Sequence, residues 1–295
     1  MDHKALIQHL PPELRGNLTQ RSNFAGVLHL LGHLGAIAAT SAVVLFAPPF
    51  WWLALPVQGI FLTFLFTLEH ETTHKTPFDS PWINEVVGRI CGLLLLLPFE
   101  WFRYFHLSHH KYTNQPGWDP ELDSPKPETR ANWALHVSGV PFWAGQMKLI
   151  VRLAFLRPVD TSYLPEAALP RIRREAQVML GIYEIALISL LLSPVLFWLW
   201  ILPLILGQPF LRLYLLAEHG DCPQVANMLE NSRTTLTNRI VRFLAWNMPF
   251  HAEHHSYPAV PFHKLPDLHE IVREELQMTA PGYAAFTRDY LARRP

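Results

Sequence analysis

Three short clusters of histidine are the residues whose type and spacing point most directly to chemistry. The sequence HETTH occupies 70–74, HLSHH occupies 106–110 and HAEHH occupies 251–255. On a helix, residues three and four positions apart lie on one face. Each cluster can therefore present two or three imidazole nitrogens to a metal ion. Imidazole suits zinc, copper, iron and nickel alike, so the ligand type alone does not choose the metal.

A further histidine, His219, follows Glu218 at the end of an apolar segment and adds a ninth candidate ligand. The candidate metal ligands are His70, His74, His106, His109, His110, His219, His251, His254 and His255. A structural zinc site uses about four protein ligands and a catalytic zinc site about three. Nine imidazoles are therefore too many for one zinc ion, and they suit two metal ions with roughly four to five nitrogens each.

The first cluster also leaves two other functions open. HETTH has the HExxH spacing of zinc proteases, in which the glutamate is the general base. A membrane zinc hydrolase built on His70, Glu71 and His74 is therefore a competing hypothesis, although it leaves the other clustered histidines without a role. A metal transporter is the second alternative. It would need polar residues along a whole crossing path, whereas the clusters are predicted to gather on one membrane face.

The overall composition is typical of a membrane protein. Of the 295 residues, 50% are hydrophobic and only 16% are charged, well below the ~25% of soluble domains. The formal net charge is zero, so no basic field is present to neutralise phosphates, and we expect no nucleic-acid partner. Cys91 and Cys222 form no CxxC pair, which argues against a cysteine-ligated zinc or iron–sulfur site.

Apolar stretches at 24–47, 50–69, 178–198 and 201–218 predict four transmembrane helices in two hairpins, because about 20 apolar residues cross a bilayer. The hairpin turns contain no lysine or arginine, whereas the flanking segments do. The positive-inside rule therefore predicts that both termini and all three clusters face the cytosol.

Two further apolar stretches, 91–102 and 132–156, are short or amphipathic. They predict helices that lie in the membrane interface. The predicted fold class is thus all-α, an integral membrane protein with four transmembrane helices, interfacial helices and a cytosolic histidine-rich cap. The predicted domains are a cytosolic N-terminal segment, 1–23, a membrane domain, 24–219, with a cytosolic insert at about 70–177, and a cytosolic cap, 220–295.

In this order and interleaved with apolar hairpins, the three clusters resemble the histidine boxes of the membrane fatty acid desaturase and hydroxylase superfamily. The context of the third box, NMPFHAEHHSYPAVPFHKLPDLH at 247–269, is similar to that of bacterial carotenoid ketolases. The stretch LLAEHG at 215–220 resembles the Glu-His element of membrane alkane hydroxylases. The resemblance spans about 65–270. It implies a non-haem centre of two iron ions that uses O2, with electrons from an external ferredoxin, rubredoxin or cytochrome.

The same resemblance implies a reaction class and roles for three carboxylates. Glu71, Glu218 and Glu253 would orient ligating histidines. The reaction would attack an unactivated C–H bond of a lipophilic substrate, with acyl-lipid desaturation as the leading hypothesis. Hydroxylation of an alkyl, carotenoid or small methylated compound is the alternative, because both reactions share the first hydrogen abstraction. The expected location is a bacterial-type inner membrane, with lipid around the helices and the active site in the cytosol.

His29, His33, Glu184 and Arg212 are among the polar residues inside the predicted spans. We predict that His29 and His33, four residues apart, pack against another helix. Glu184 and Arg212 are expected at similar depth, where they would form an ion pair between helices. The alternative function for Arg212 is contact with a polar group of the substrate.

Overall fold

The computed structural model describes residues 2–155 and 162–295, and this part of the chain is almost wholly helical. Its α-helices are α1 (His3–His9), α2 (Pro12–Leu18), α3 (Asn23–Phe46), α4 (Ala54–Thr63), α5 (Leu65–Thr73), α6 (Pro81–Leu95), α7 (Phe99–Tyr112), α8 (Arg130–Val137), α9 (Val140–Phe155), α10 (Leu169–Ser189), α11 (Leu202–His219), α12 (Met228–Asn231), α13 (Arg239–Leu244), α14 (His251–Ser256), α15 (Leu265–Val272) and α16 (Tyr283–Ala292). Two short strands, β1 (Thr234–Thr235) and β2 (Thr279–Ala280), pair in parallel. The predicted all-α class is confirmed.

Three helical stretches are long and apolar enough to cross a membrane: Pro12–Phe46, Trp51–Thr73 and Phe197–His219. They overlap almost completely with the first, second and fourth of the predicted spans. A fourth candidate is the pair α6 and α7. The pair is long and apolar enough only when the two helices are counted together as one broken span, and they are bent by 100° relative to each other. The structure therefore supports a membrane protein with three or four candidate spans.

The bounds predicted for the third span, 178–198, are wrong. The helix in this region, α10, begins at Leu169 and ends at Ser189, and one turn of π-helix at 197–201 leads into α11. Pro194 lies between the two, and proline cannot continue a helix, because it lacks an N–H group and clashes with the preceding turn. The charged residues in α10, including Glu184, keep it out of the set of helices apolar enough to span a membrane.

The two predicted interfacial helices are each divided. The 91–102 stretch is split between α6 and α7, because Leu96 takes a left-handed conformation with φ 59° and Pro98 precedes the new helix. The 132–156 stretch is split between α8 and α9 at Gly139, whose φ of 75° suits glycine. Its last residue and the other residues of 156–161, part of the predicted insert, lie outside the described residues. The bend at Leu96 turns α7 towards the end of α5.

Close packing of α4 on α11 aligns the two apolar stretches that end in His70 and His219. Gly59 and Gly207 face each other so closely that a Cβ on Gly207 would overlap the carbonyl group of Gly59. Leu62 and Leu211 are buried around this contact. The absence of side chains at the two glycines thus lets the two helix backbones approach.

The predicted packing of His29 and His33 is confirmed. The Nε2 atom of His29 donates to the carbonyl of Phe243 at 2.8 Å, and that of His33 donates to the carbonyl of Phe61 at 2.8 Å. Trp246 Nε1 donates to His33 Nδ1 at 3.3 Å. Both histidines therefore attach α3 to its neighbours and lie apart from the histidine boxes.

The predicted ion pair between Glu184 and Arg212 is wrong. Glu184 is exposed on the outer side of α10, and no ion pair joins it to Arg212 in the described chain. The guanidinium group of Arg212 instead lies 4.3 Å from the centre of the Phe142 ring on α9. The two side chains therefore leave their helices in different directions.

Candidate metal centre

The first box is presented by α5, which continues the second apolar stretch. His70 lies in the last turn of α5 and His74 caps its end, so both rings point from one side of the helix. His70 Nε2 lies 2.7 Å from His254 Nε2, and His74 Nε2 lies 2.8 Å from His106 Nε2. The first box therefore meets residues of both other boxes.

The second box lies in the last turns of α7, the third forms most of α14, and His219 is the last residue of α11. His109 Nε2 lies 3.2 Å from His219 Nε2, and His251 Nε2 lies 2.9 Å from the same atom. Four helices thus bring all nine histidines predicted from the sequence to one place, and each of these side chains is buried or nearly so.

The ligand nitrogens fall into two groups. Within each group, the candidate ligand atoms lie within 4.8 Å of one another; one group is His70, His74, His106, His110 and His254, and the other is His109, His219 and His255. His251 joins the second group through its 2.9 Å contact with His219. The division into five and four nitrogens is the division expected for two metal ions.

The chemistry of these nitrogens fits bound metal. Metal–nitrogen bonds of about 2.1 Å place neighbouring ligands roughly 3 Å apart, close to the separations of the nitrogen pairs. Both ring nitrogens of His110 and Nε2 of His255 are buried without a hydrogen-bond partner among the described residues. Buried polar atoms are rarely left unpaired, and a metal ion would satisfy them.

Burial also keeps the imidazoles of His74, His254 and His255 in the form that binds metal. Outside the membrane-spanning stretches, burial and, to a smaller extent, nearby His109 lower the pKa of His74 to about 3. Burial likewise holds the pKa values of His254 and His255 well below their usual range. Neutral imidazole has a free electron pair for a metal ion, whereas imidazolium does not.

Two of the three predicted carboxylates lie beside box histidines. Glu71 Oε1 is 3.4 Å from His254 Nδ1, and Glu218 Oε1 is 3.3 Å from His251 Nδ1. In each case the carboxylate faces the ring nitrogen on the far side from the nitrogen cluster. A carboxylate in this position orients a ligating ring and raises its basicity.

The third predicted carboxylate, Glu253, has different partners. It accepts hydrogen bonds from Thr234 and from His269, which lies in α15. Within the described chain, no hydrogen bond or ion pair joins Glu253 to one of the nine box histidines. It attaches α14 to the strand pair and to α15, which fixes the helix that carries the third box.

The structure adds contacts at the site that the sequence did not reveal. Asp119 lies 3.0 Å from His109 Nδ1, and Thr113 Oγ1 lies 3.1 Å from His255 Nδ1. The carbonyl oxygen of Asn231 accepts from His219 Nδ1 at 3.0 Å. No local sequence pattern predicts these contacts. Two of them join different elements of the chain, and the contact of Asp119 depends on the path of a loop, which the sequence does not specify.

A second carboxylate of the same loop, Glu121, lies with its Oε2 atom 3.4 Å from His109 Nε2. This places it on the side of the ring that faces the second group of nitrogens. Its side chain is 38% exposed, so the loop brings a carboxylate from the solvent side to the edge of the centre.

A family profile described as fatty acid desaturase matches residues 12–287, nearly the whole chain. The chain belongs to the fatty acid desaturase family. The matched region contains all three histidine boxes and His219. The nitrogen cluster described above is therefore formed by the part of the chain that this desaturase family shares.

Relatives of this desaturase-family chain include an sn-1 oleoyl-lipid 12-desaturase of Arthrospira platensis, which is 23% identical over 72% of this chain and 67% of the relative. A sphingolipid delta(4)-desaturase of Drosophila melanogaster is 26% identical over 86% of this chain and 77% of the relative. The sn-1 oleoyl-lipid 12-desaturase of a Picosynechococcus species is 36% identical over 31% of this chain. In this last case the chain matches only 29% of the relative's length.

Proposed function

We propose that this protein is an O2-dependent di-iron membrane oxidoreductase that introduces a double bond into an acyl chain of a lipid. The observation that carries the proposal is the convergence of nine buried histidines into two groups of nitrogens in a member of the fatty acid desaturase family. The names of the relatives, an oleoyl-lipid desaturase and a sphingolipid desaturase, support this substrate class.

The two groups of nitrogens would each hold one iron ion. One ion would be held by His70, His74, His106, His110 and His254, and the other by His109, His219, His251 and His255. When bound, the iron would supply the oxidising power towards O2 that no amino-acid side chain has. The contribution of the protein is to hold neutral nitrogens in fixed positions, to orient the rings through Glu71, Glu218 and Asp119, and to exclude water from the buried cluster.

Desaturation has a defined balance of atoms and electrons. Two adjacent CH2 groups lose one hydrogen each and become CH=CH. O2 takes up these two hydrogens together with two electrons and two protons, and it leaves as two molecules of water. The electrons must come from a separate donor. A ferredoxin-type donor is the first choice, because one relative, from a Nostoc species, is named an acyl-lipid omega-3 desaturase (ferredoxin). Rubredoxin and cytochrome donors are the alternatives.

The proposed membrane arrangement keeps four spans in two hairpins, with α10 as the third. Its far end supports this placement, because Leu187, Ile188, Leu191 and Leu192 are strongly exposed apolar side chains that lipid would cover. Arg173 and Arg174 would mark the cytosolic surface. Both termini, the insert within 70–177 and the cap from 220 onwards would then lie in the cytosol of a bacterial inner membrane.

Aerobic turnover with a reduced donor, followed by mass spectrometry of the lipid acyl chains, tests the proposal. Desaturation makes the product lighter by two hydrogen atoms, whereas hydroxylation makes it heavier by one oxygen atom. Incubation without O2 is the matched control. A product that gains an oxygen atom and has no new double bond would indicate hydroxylation, the alternative reaction. That result would leave the proposed metal site unchanged.

A further inference from the structure

Three hydrogen-bond donors without partners lie together between α9 and α11, away from the nine histidines. The Nε atom of Arg212, the Nε2 atom of Gln208 and the Nε1 atom of Trp143 are all buried, and none has a hydrogen-bond partner among the described residues. Gln208 packs on Gly139, and Trp143 Nε1 lies 3.7 Å from where a Cβ of this glycine would be. The Phe142 ring contacts both Arg212 and Trp143. The three donors therefore belong to one site.

The positive charge of Arg212 has no carboxylate partner in the described structure. Glu184 is exposed on another face. The carboxylates whose charges act on Arg212 are Glu121 and Glu218, but these lie next to the rings of His109 and His251. A charged side chain within a membrane-spanning helix is costly without a partner. Such a group, surrounded by further unpaired donors, indicates a ligand that supplies acceptor oxygens.

One of the three donors, Trp143, also lines an apolar cavity. The cavity has a volume of about 270 Å3, and its wall includes Leu96, Tyr183, Leu204 and Ile205. Ligand sites combine a mostly apolar lining with a few polar groups that fix orientation. An apolar wall that contains Trp143, next to the donors of Gln208 and Arg212 further along α11, fits a molecule that has a hydrocarbon chain and an oxygen-bearing end.

We infer that Arg212, Gln208 and Trp143 form a binding site for the carbonyl end of an acyl lipid, either the carboxylate of a fatty acid or the ester carbonyl of a glycerolipid. This inference rests on the proposed function for its choice of an acyl ligand. Arg212 precedes His219 by seven residues on α11, which is about 10 Å along the helix axis. Along α11, the site would therefore hold the carbonyl group of the lipid between Leu204, which lines the cavity, and His219, which belongs to the metal centre.

Equilibrium binding to the purified, delipidated protein tests this inference without O2 or an electron donor. The probes are radiolabelled stearic acid, methyl stearate and octadecane, which share one hydrocarbon chain and differ in the oxygen-bearing end. We expect the acid and the ester to bind more tightly than the alkane. We expect Arg212→Gln to weaken binding of the acid by roughly ten- to a hundredfold, as for loss of a hydrogen bond to a charged group, and to leave the alkane unchanged.

Two further variants keep the test decisive if Arg212→Gln folds poorly. Arg212→Lys retains the charge and should retain part of the acid binding, and Gln208→Leu should weaken both oxygenated probes. Arg239→Gln, at an exposed arginine of α13, is the control that should change nothing. Equal binding of all three probes to the wild type would overturn the inference, because the donors would then be satisfied by water alone. Equal weakening of all three by Arg212→Gln would also overturn it.

The acid-versus-ester comparison distinguishes the two sources of the carbonyl group. A larger effect of Arg212→Gln on the acid assigns the site to a free carboxylate, and equal effects on acid and ester assign it to the carbonyl oxygen. Binding measured in this way is independent of turnover. If no desaturation is detected but the acid and the ester still bind more tightly than the alkane, the proposed reaction fails while the binding site stands.

Discussion

The carboxylate of Asp119 lies 3.0 Å from Nδ1 of His109, whose Nε2 atom faces His219 across 3.2 Å. Backbone N–H groups of Asn114 and Glu121 donate to the same carboxylate at 2.8 and 2.9 Å. The loop thus fixes the carboxylate, and the carboxylate fixes the ring. With the proton held on Nδ1, the electron pair of Nε2 is directed at the second group of nitrogens.

Replacement of Asp119 by asparagine should weaken iron binding by roughly ten- to a hundredfold, because the ring of His109 loses the group that fixes its orientation and tautomer. The measurement is the iron retained per chain after dialysis against increasing chelator. Asp123→Asn changes an exposed carboxylate of the same loop and should retain iron like the wild type. Equal iron retention by both variants would remove Asp119 from the metal centre.

The buried carboxylates Glu71 and Glu253 should respond differently to the same substitution. Glu71→Gln changes the group beside His254 and should lower iron retention about tenfold or more. Glu253→Gln changes contacts with Thr234 and His269, so it should lower the unfolding temperature and leave the iron content of the folded chain unchanged. Iron content and thermal unfolding measured on both variants check this difference. Comparable iron loss in both would contradict it.

The contact between α4 and α11 should be intolerant of a single methyl group. Gly207→Ala places a Cβ against the carbonyl of Gly59, and overpacking of this kind costs about 1–3 kcal/mol of unfolding free energy. Gly35→Ala on α3 is the matched control, since a Cβ there meets nothing within 4 Å. Unfolding of the two variants in the same detergent provides the comparison. A stable Gly207→Ala variant would show that the helices are free to separate.

The bend between α6 and α7 is held by Glu100, whose side chain is 2% exposed. It lies 2.9 Å from Arg89 and 3.0 Å from Arg171. Glu100→Ala leaves these arginines without their shared partner, and we expect a loss of about 2 kcal/mol of unfolding free energy, below the cost of breaking a fully buried pair because both arginines reach solvent. Glu274→Ala, which breaks the exposed pair with Arg273, should cost less than about 0.5 kcal/mol. Chemical unfolding of both variants checks the difference.

The sequence predicted the elements that are defined by strong local patterns. The span at 24–47 agrees with α3, and the span at 201–218 agrees with α11, because both are predominantly apolar over about 20 residues. All nine histidines come together. Helical spacing within each box predicted which rings share a face, and the predicted topology placed the boxes close to one another.

The remaining features depend on tertiary geometry that a local pattern does not contain. The start of α10 at Leu169 lies in a charged segment. The prediction followed the apolar run and therefore put the start of this helix at 178, which is too late in the sequence. The bend at Leu96 arises from one left-handed residue. The error over Glu184 and Arg212 has the same origin: depth in the membrane follows from sequence position, but the rotation of each helix about its axis follows from packing. Asp119 was not assigned to His109 because the path of its loop is set by contacts with backbone N–H groups.

The metal content of the purified protein, measured together with its turnover, tests the central claim most directly. The account predicts about two iron ions per chain, one for each group of histidine nitrogens, and loss of both iron and turnover in a His254→Ala variant but not in a His9→Ala variant, which changes an exposed histidine of α1. One zinc ion per chain and no iron, in protein that is active without O2, would contradict it.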